Sequence, residues 1–445
     1  MSAAAEIPAR PPTFRHGIHP TEHKQATQES RIERMPFVGE YVLPLSQHIG
    51  APSRSVVQVG ERVCRGQLIA EPAGFISTAL HAPVTGRVRA IELRLHPGGK
   101  MMPAIVIEAD PYDSQRLPEP APLDPASLTS FELVEHVQRG GLVGLGGAAF
   151  PCHVKFRVPE GKRVRLVVIN GCECEPYLTC DHRVMVERPE AVARGTEIIM
   201  SGVAAERACI GVEVNKPDAI AALRAVAPQI EVVPVRVKYP QGAEKMLVEA
   251  IFGREIPAGG LPLDMEMLVN NVGTTAALAD LFDRGIPLIE RVVTVSGPGL
   301  ARPRNLIVPL GTPLLAVIEH CGGLLPDTRQ IVLGGPMMGM AQKSLDVPVL
   351  KGTSGILCLD GATAPSFLER PCIRCGRCLD ACPLFLNPAR LAQLIRAEVV
   401  EELDRYHLES CFECACCSFV CPSRIPLAQW MRVGKAMLRE HKAGA

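Results

Sequence analysis

Aromatic residues make up only 4% of this 445-residue sequence, and Trp430 is its single tryptophan. Stacked aromatic platforms of the kind that hold single-stranded nucleic acid are therefore not expected. Neither sign of charge is in excess, since 47 Lys and Arg face 47 Asp and Glu. Charge thus proposes neither nucleic acid nor an acidic surface as a partner. No run of eighteen apolar residues occurs, and residues 1–20 lack the apolar core of a signal peptide. The expectation is a soluble or peripheral chain in a reducing compartment. Its seventeen cysteines then read as metal ligands or small buried residues, not as disulfides. The length suggests about three or four domains.

What is present is a cysteine pattern. Cys372-x-x-Cys375-x-x-Cys378-x-x-x-Cys382-Pro383 recurs as Cys411-x-x-Cys414-x-x-Cys417-x-x-x-Cys421-Pro422. Three thiolates at two-residue intervals wrap one face of an iron–sulfur cube from a tight loop, while the fourth points away. In bacterial two-cluster proteins that fourth cysteine ligates the other cluster. One [4Fe-4S] cluster is expected on Cys372, Cys375, Cys378 and Cys421, and its neighbour on Cys411, Cys414, Cys417 and Cys382. Zinc would use only half of these ligands. Cys416 stands where the first repeat has Arg377 and is not expected to be a ligand. Asn387-Pro388 starts a helix with Leu391, Leu394 and Ile395 on one face. Residues 351–440 therefore read as a helical, ferredoxin-like two-cluster domain, closed by an amphipathic helix around Trp430 that packs on it.

Residues 36–115 offer short strands at 41–43, 56–60, 67–70 and 86–91, broken by Gly and Pro, as in a small all-β fold. Residues 59–67 followed by 81–86 resemble the barrel-sandwich fold of biotinyl and lipoyl carrier domains. The carrier lysine would stand between them, and residues 71–80 contain none. That leaves docking or support. Residues 1–35 form an N-terminal arm whose His16, His19 and His23 are read as a solvated tail. Residues 116–126 are a proline-rich linker.

Thr129-x-x-Glu132 makes a capping box for a helix with Phe131, Val134 and Val137 on one face, stopped at Gly140-Gly141. Residues 144–155 then read Gly-Leu-Gly-Gly-Ala-Ala-Phe-Pro-Cys-His-Val-Lys. A dinucleotide fingerprint follows a strand and this one follows a helix, so the Rossmann label is wrong. Gly144, Gly146 and Gly147 still bare backbone N–H groups for phosphate oxygens, and Lys155 can add a positive charge. Strands at 164–169, 208–214 and 230–237 then alternate with helices at 191–200 and 218–226. This is a doubly wound α/β pattern over 127–288, whose ligands gather at strand ends. Those ends carry Asn170-Gly171-Cys172-Glu173-Cys174-Glu175-Pro176, then Gly242-Ala243-Glu244 opening a helix, then Asn270-Asn271. The carboxylates and amide suit ribose hydroxyls and a flavin edge, and the helix N-terminus suits an anion.

Taken in order, these segments resemble the FMN and NADH site of the flavin-carrying, NADH-oxidising subunit of respiratory complex I. Two strands and a helix over 291–320 resemble that subunit's small β-grasp domain, here 289–350. With the β domain ahead and the cysteine repeats behind, the whole chain resembles the RnfC components of Rnf electron-transport complexes, from about residue 14 to 438. By that resemblance Gly144, Gly146, Gly147 and Lys155 match the phosphate loop. Asn170, Glu173 and Glu175 match the flavin and nicotinamide contacts, Gly242 and Glu244 the nucleotide helix, and Asn270 and Asn271 the flavin-side loop. Leu145 and Ala149 depart from the complex I pattern of arginine and glycine, which removes one phosphate contact. Cys172, Cys174 and Cys180 add thiols near the site, read as incidental. Gly334–Gly339 is read as a sharp turn after a strand.

The resemblance implies FMN, NAD(H) and two [4Fe-4S] clusters in a membrane-bound, ion-translocating ferredoxin:NAD oxidoreductase. It implies a peripheral position on the cytoplasmic face of the bacterial inner membrane. Partners would be the membrane-embedded and iron–sulfur subunits of the same complex, with ferredoxin or flavodoxin reached indirectly. The chemistry agrees: nicotinamide exchanges a hydride, a cluster one electron, and a flavin converts between them. The alternatives are a flavin/iron–sulfur subunit of a soluble NAD-linked hydrogenase or formate dehydrogenase, and an electron carrier without flavin.

Overall fold

The computed structural model describes residues 10–117, 119, 121–366 and 368–444. The start of the arm and Pro118 and Pro120 of the expected linker lie outside them. The middle of the chain is built on a four-stranded parallel sheet of Leu166–Gly171 (β1), Arg207–Glu213 (β2), Glu231–Val235 (β3) and Met267–Asn271 (β4). The spatial order is β3-β2-β1-β4. Val167, Val168 and Ile169 of β1 are all fully buried, as a strand covered by helices on both faces must be. The order reverses between β1 and β4, and the crevice outside the carboxyl ends at such a reversal is where open α/β sheets take ligands. Helix Cys180–Glu187 (α1) follows β1, and Val272–Arg284 (α2) follows β4 directly.

Two local expectations shift. The helix Ser130–Arg139 has its capping box, but Leu133 and Val137 face the core and Phe131 is exposed. Of the expected stripe Val137 is buried in the core and Val134 packs against it, while Leu133 takes the place of Phe131. Residues 56–58 are irregular and 59–60 a turn instead of a strand, flanked by the paired segments Arg54–Ser55 and Arg62–Val63, with Val57 buried and Val56 and Val59 exposed.

The N-terminal β unit consists of a four-stranded and a three-stranded antiparallel sheet closed around Tyr41, Leu43, Val63, Ile69, Val88 and Ile105. Where a carrier lysine would stand, this unit brackets the α/β unit instead. Gln138 Nε2 donates to the carbonyls of Gly74 and Ser77, both at 3.0 Å, and His153 Nε2 lies 2.7 Å from that of Phe75.

A six-stranded sheet follows, in the order Ile32–Arg34, Arg304–Pro309, Glu290–Ser296, Gly355–Asp360, Thr328–Leu333, Met340–Gln342. It corrects two expected boundaries. The end of the arm is an edge strand, and Gly355–Asp360, expected in the cysteine domain, is a central strand whose Ile356, Leu357 and Cys358 are fully buried. The arm is also not a solvated tail. Phe14, Ile18, Lys24 and Thr27 are buried, Ile18 bridges to Tyr239, His23 stacks on Tyr177 at 4.8 Å, and His16 meets the Phe385 ring at 4.4 Å.

The cysteine-rich unit is helical and packs Leu391, Leu394, Ile395, Leu408, Met431 and Leu438 together. Its backbone repeats as its sequence does: left-handed residues at Arg374, Gly376 and Phe385 recur at Glu413, Ala415 and Arg424. Among the described residues no helix is long and apolar enough to cross a membrane.

Lys351 joins three units. Its buried Nζ donates to the carbonyls of Gly141 at 2.6 Å and Ala79 at 2.7 Å and to Thr78 Oγ1 at 3.3 Å. Burial pushes its pKa down from 10.5 to about 7. Lys351→Met should destabilise the chain, because each acceptor left unsatisfied costs about 1–3 kcal/mol. From about pH 7 to 10.5 the unfolded chain holds a proton that the folded chain has lost, so wild-type stability should rise with pH across that window. Denaturant titrations should show this rise in the wild type and not in the methionine variant; equal slopes would exclude Lys351 as its source.

Candidate functional site

A cleft of about 830 Å³ opens at the reversal between β1 and β4, a volume in the range of small-molecule sites. Its walls are the 145–149 turn, the 170–175 loop, the segment 239–245 and the 333–340 turn, with Gln47–Ile49 of the β unit and Phe412 of the cysteine unit.

The glycine turn is built for an anion. Gly147 has φ of +110°, a conformation in which any other residue is strained. The amides of Gly146, Gly147 and Ala148 donate to no acceptor among the described residues, so they are available to phosphate oxygens. The turn is anchored from behind: the Leu145 amide donates to Thr274 Oγ1 at 2.8 Å, and buried Arg291 donates to the Leu145 carbonyl at 3.1 Å. Ala149 adopts the left-handed φ of +49° that glycine takes without strain. The departure from the complex I pattern therefore leaves the turn intact.

The loop after β1 is fastened at both ends. Asn170 Nδ2 donates to the Gly242 carbonyl at 2.7 Å, and its Oδ1 accepts the Cys172 amide at 3.0 Å. A Cβ on Gly242 would come within 2.5 Å of the Cys172 carbonyl oxygen, so only glycine allows the two loops to meet. Lys24 of the arm, buried, donates through Nζ to the carbonyls of Glu173 at 2.8 Å and Glu175 at 3.0 Å, and to that of Leu178. No local pattern marks Lys24 in the sequence, because its partners lie some 150 residues away.

The carboxylates are less free than their spacing suggests. Glu173 accepts the amides of Asp181 at 2.9 Å and His182 at 3.2 Å, so it caps α1 from the cleft wall. Glu175 accepts the amides of Met337 at 3.0 Å and Met338 at 2.9 Å. The 334–339 segment is thus the expected turn, and it holds a carboxylate; a Cβ on Gly335 would sit 2.2 Å from Glu175 Oε2. Burial pushes the Glu175 carboxyl up to about 7, against the pull of those amides and Lys24. Asp181, which no sequence pattern marks, also lines the cleft and accepts Asn271 Nδ2 at 2.7 Å. Burial and the neighbouring Glu173 raise its pKa. Asn271 further caps α2, its Oδ1 accepting the Gly273 and Thr274 amides at 2.9 and 3.2 Å.

Of the expected residues, Gly146, Gly147, Asn170, Glu173, Glu175, Gly242, Glu244 and Asn271 line the cleft. Gly144, Lys155 and Asn270 stand behind it. Lys155 does not face the glycine turn as a free cation: Nζ is 2.7 Å from Glu244 Oε1 and donates to the Val269 carbonyl at 2.8 Å. It holds Glu244, which opens the helix Glu244–Phe252. Asn270 is buried with its Nδ2 unpartnered.

In the cysteine unit Cys382, Cys411, Cys414 and Cys417 line one cavity of about 20 Å³, together with Cys416. Cys375 and Cys421 act electrostatically on Cys378, and Cys372 and Cys375 are exposed. Among the described residues no three side chains converge tightly enough for a single metal ion; a cubane cluster spreads its thiolates more widely. Cys416 is fully buried, and hydrogen bonding with the free Cys414 thiol and burial push its thiol far up. Burial likewise raises Cys172, Cys174 and Cys180, which keeps them as unreactive thiols. The Cys411–Cys417 loop touches the cleft: Phe412 is part of its wall, and Tyr239 Oη donates to the Cys414 carbonyl at 2.9 Å. Free amides in the cleft, and a separate cysteine-lined cavity in the unit whose loop touches it, fit a phosphorylated flavin and an iron–sulfur cluster.

Comparison with known proteins agrees. Residues 137–280 match the Nuo51 FMN-binding domain, 12–112 the RnfC barrel sandwich hybrid domain, 292–341 the SLBB domain and 370–425 the 4Fe-4S dicluster domain. The structure of an NAD+-reducing [NiFe]-hydrogenase in its air-oxidised state shares the fold at 20% identity and a TM-score of 0.50, over 72% of this chain and 63% of that one. The molecule is thus an electron-transfer protein in which an FMN-binding domain is joined to a 4Fe-4S dicluster domain.

Its relatives narrow the class. The C component of the proton-translocating ferredoxin:NAD(+) oxidoreductase complex of Clostridium ljungdahlii is 44% identical over 89% of this chain and 87% of its own. Its counterpart in the Na(+)-translocating complex of Acetobacterium woodii is 42% identical over 86% and 87%. The counterpart in the ion-translocating oxidoreductase complex of Rhodobacter capsulatus is 41% identical over 97% and 84%. The chain belongs to this family, the RnfC components of ion-translocating oxidoreductase complexes.

The raised carboxyl of Glu175 has a measurable consequence. A group whose pKa rises from 4.5 to about 7 on folding contributes stability that is complete below the lower value and lost as pH rises through the higher. The unfolding temperature of the chain should therefore fall between about pH 4.5 and 7, and Glu175→Gln should flatten that fall. An unchanged slope would show that Glu175 ionises freely.

Proposed function

We propose that this chain is the NADH-interacting subunit of a membrane-bound, ion-translocating ferredoxin:NAD+ oxidoreductase, carrying electrons between NAD(H), FMN and two [4Fe-4S] clusters. The observation that carries the reading is the seating of the Cys411–Cys417 loop against the nucleotide cleft through Phe412 and Tyr239. FMN supplies the conversion between hydride and single-electron transfer.

The chain's own residues bind, orient and enclose. The amides of Gly146, Gly147 and Ala148 hold the flavin phosphate. Glu244, steadied by Lys155, receives ribose hydroxyls. Asn170 and Lys24 keep the 172–178 loop in place, so the distance from cleft to cysteines is fixed. Asp181 and Glu175 are carboxyls whose burial favours the protonated form, and they can hold or release a proton at the cleft wall. Tyr239 and Phe412 keep water from the gap toward Cys414. Cys382, Cys411, Cys414 and Cys417 would hold the cluster nearer the cleft, and Cys372, Cys375, Cys378 and Cys421 the one nearer the surface. The complex's membrane-embedded and iron–sulfur subunits are then the partners, ferredoxin or flavodoxin is reached through them, and the chain sits peripherally on the cytoplasmic face.

Anaerobic addition of NADH to the cluster-reconstituted chain tests this. Flavin absorbance and cluster paramagnetic resonance should change together, and only when FMN is present. Clusters that respond to dithionite but never to NADH would refute the route. The order of the two clusters makes a second prediction. Cys417→Ala should prevent NADH from reducing the remaining cluster, whereas Cys375→Ala should leave the other cluster reducible; equal behaviour of the two variants would overturn the order.

A further inference from the structure

Docking or support is all that the sequence assigns to the β unit, yet that unit forms one wall of the cleft. Gln47, His48 and Ile49 line it beside the glycine turn, where the Ile49 amide donates to the Ala149 carbonyl at 3.4 Å. The segment is held by the hairpin in which a carrier lysine would stand. The Ala51 amide donates to the Ile76 carbonyl at 2.9 Å, Ser53 Oγ to the Thr78 carbonyl at 2.7 Å, and the Thr78 amide to His48 Nε2 at 3.1 Å. Gly50, with φ of +111°, lies so close to that hairpin that a Cβ would come within 2.1 Å of the Ile76 carbonyl oxygen. The wall is a fixed surface and not a loose loop.

Two features of this wall point to a ligand. Gln47 is 3% exposed, and while its Oε1 accepts the Lys351 amide at 3.1 Å, its Nε2 has no partner among the described residues. A buried donor left unpaired is costly, so it marks a place where an acceptor from another molecule completes the bond. Ile49 is 55% exposed on the cleft and offers an apolar face to a flat ring. Among the described residues this wall carries no free charge. The Thr78 amide donates to His48 Nε2, so Nδ1 carries the hydrogen of a neutral ring and donates to the Ile49 carbonyl at 3.2 Å. His96 is neutral in the same way: Nδ1 accepts the Gly98 amide at 2.9 Å and Nε2 donates to the Ser46 carbonyl at 3.1 Å. Burial disfavours the charged form of both rings. Lys351 commits its Nζ to buried acceptors. Lys245, the one cation among the described residues that line the cleft, belongs to the helix Glu244–Phe252.

On the function proposed above, electrons pass between the cleft and the clusters by way of Tyr239 and Cys414, so the nicotinamide and flavin rings belong beside the segment 239–242. The Gln47–Ile49 wall is fastened to the glycine turn instead, and is left to the part of the dinucleotide that carries no electrons. Resting on that same reading, we propose that Gln47 and Ile49 seat the adenosine half of NAD(H), and that their uncharged wall turns away a dinucleotide bearing a 2′-phosphate. Ile49 packs against the adenine ring, and the Gln47 amide donates to an acceptor of the adenine or its ribose. A 2′-phosphate brought here would lose water and meet no cation, and a site discriminates by such uncompensated charge as much as by contact. The β unit is then part of the binding site, and the hairpin without a carrier lysine holds its wall.

The test uses the full chain with clusters and FMN reconstituted, and calorimetry with two probes, ADP-ribose and 2′-phospho-ADP-ribose. ADP-ribose should bind the wild type, and I49S and Q47E should each weaken it about tenfold. Q47E keeps the acceptor for the Lys351 amide and removes the free donor; should it fail to fold, I49S, at an exposed position, carries the test. FMN affinity, read by flavin fluorescence, should be unchanged in both variants. The wild type should bind 2′-phospho-ADP-ribose about tenfold or more weakly than ADP-ribose, and I49R, which gives the wall a cation, should narrow that gap. Equal ADP-ribose affinity in wild type and I49S overturns the proposal. So does loss of FMN in place of ADP-ribose, since the wall would then belong to the flavin, and so does equal affinity of the wild type for the two probes. A wild type that neither binds ADP-ribose nor reduces its clusters with NADH counts against the function proposed above, and the adenosine seat falls with it.

Discussion

The contact between the second cysteine loop and the nucleotide cleft is the constraint that the other units serve. Its fixed point is the Tyr239 hydroxyl donating to the Cys414 carbonyl, and everything around that point resists displacement. The arm passes behind it, with Ile18 paired to Tyr239 and Lys24 bonded to three carbonyls of the neighbouring loop. Lys351 and Gln138 lock the β unit to the α/β unit on the far side of the cleft. Electron transfer between cofactors that never touch is sensitive to distance. An architecture in which Ile18, Cys174, Tyr239 and Met337 pack with Cys414 and Cys416 is a way to keep that distance constant.

The same view explains why so many ionisable groups are buried near the cleft. Lys216 and Glu213 form a pair 2.6 Å apart with both side chains 1% exposed, and Arg291, Lys24 and Glu173 are buried nearby. Buried pairs of this kind gain little net stability over apolar packing. What they do is specify: each donor has one set of acceptors, and a shifted loop would leave charges unsatisfied in a low-dielectric interior. Apolar packing holds each unit together, and the polar network fixes how the loops of different units meet.

This division also separates what could be read in the sequence from what could not. The cysteine repeats, the capping box at Thr129, the glycine turn and the β1 run are local, and each declares itself within about a dozen residues. The cleft was legible as strand-end motifs because the rule about sheet edges is topological and needs no side-chain detail. The local partners of Glu173 and Lys155 were not legible for the opposite reason. Their residue types suit ligands, but their partners, the amides of α1 and Glu244, are decided by tertiary structure. Lys24, Asp181 and Arg291 were missed because nothing beside them in the chain records what they touch. The strand Gly355–Asp360 was assigned to the wrong unit because its partners lie far back in the sequence, at 294–296 and 328–333, and nothing within the strand points to them.

The arm shows how far this reasoning extends. Its histidines and scattered charges look like a solvated tail, and no apolar period marks it as core. It is held instead by single side chains inserted into sites that the rest of the chain has already formed: Phe14 and Ile18 into apolar gaps, Lys24 among carbonyls, Thr27 against Thr179 and Asn305. Such a segment adds little to a hydrophobic core and much to register, since each insertion tolerates only one placement of the loop it enters. Because Lys24 bonds the loop bearing Glu173 and Glu175 while Ile18 pairs with Tyr239, one stretch of the arm couples the wall of the cleft to the residue that holds Cys414. The arm is therefore a brace between the cleft and the second cysteine loop, and its sequence is constrained by where those two stand.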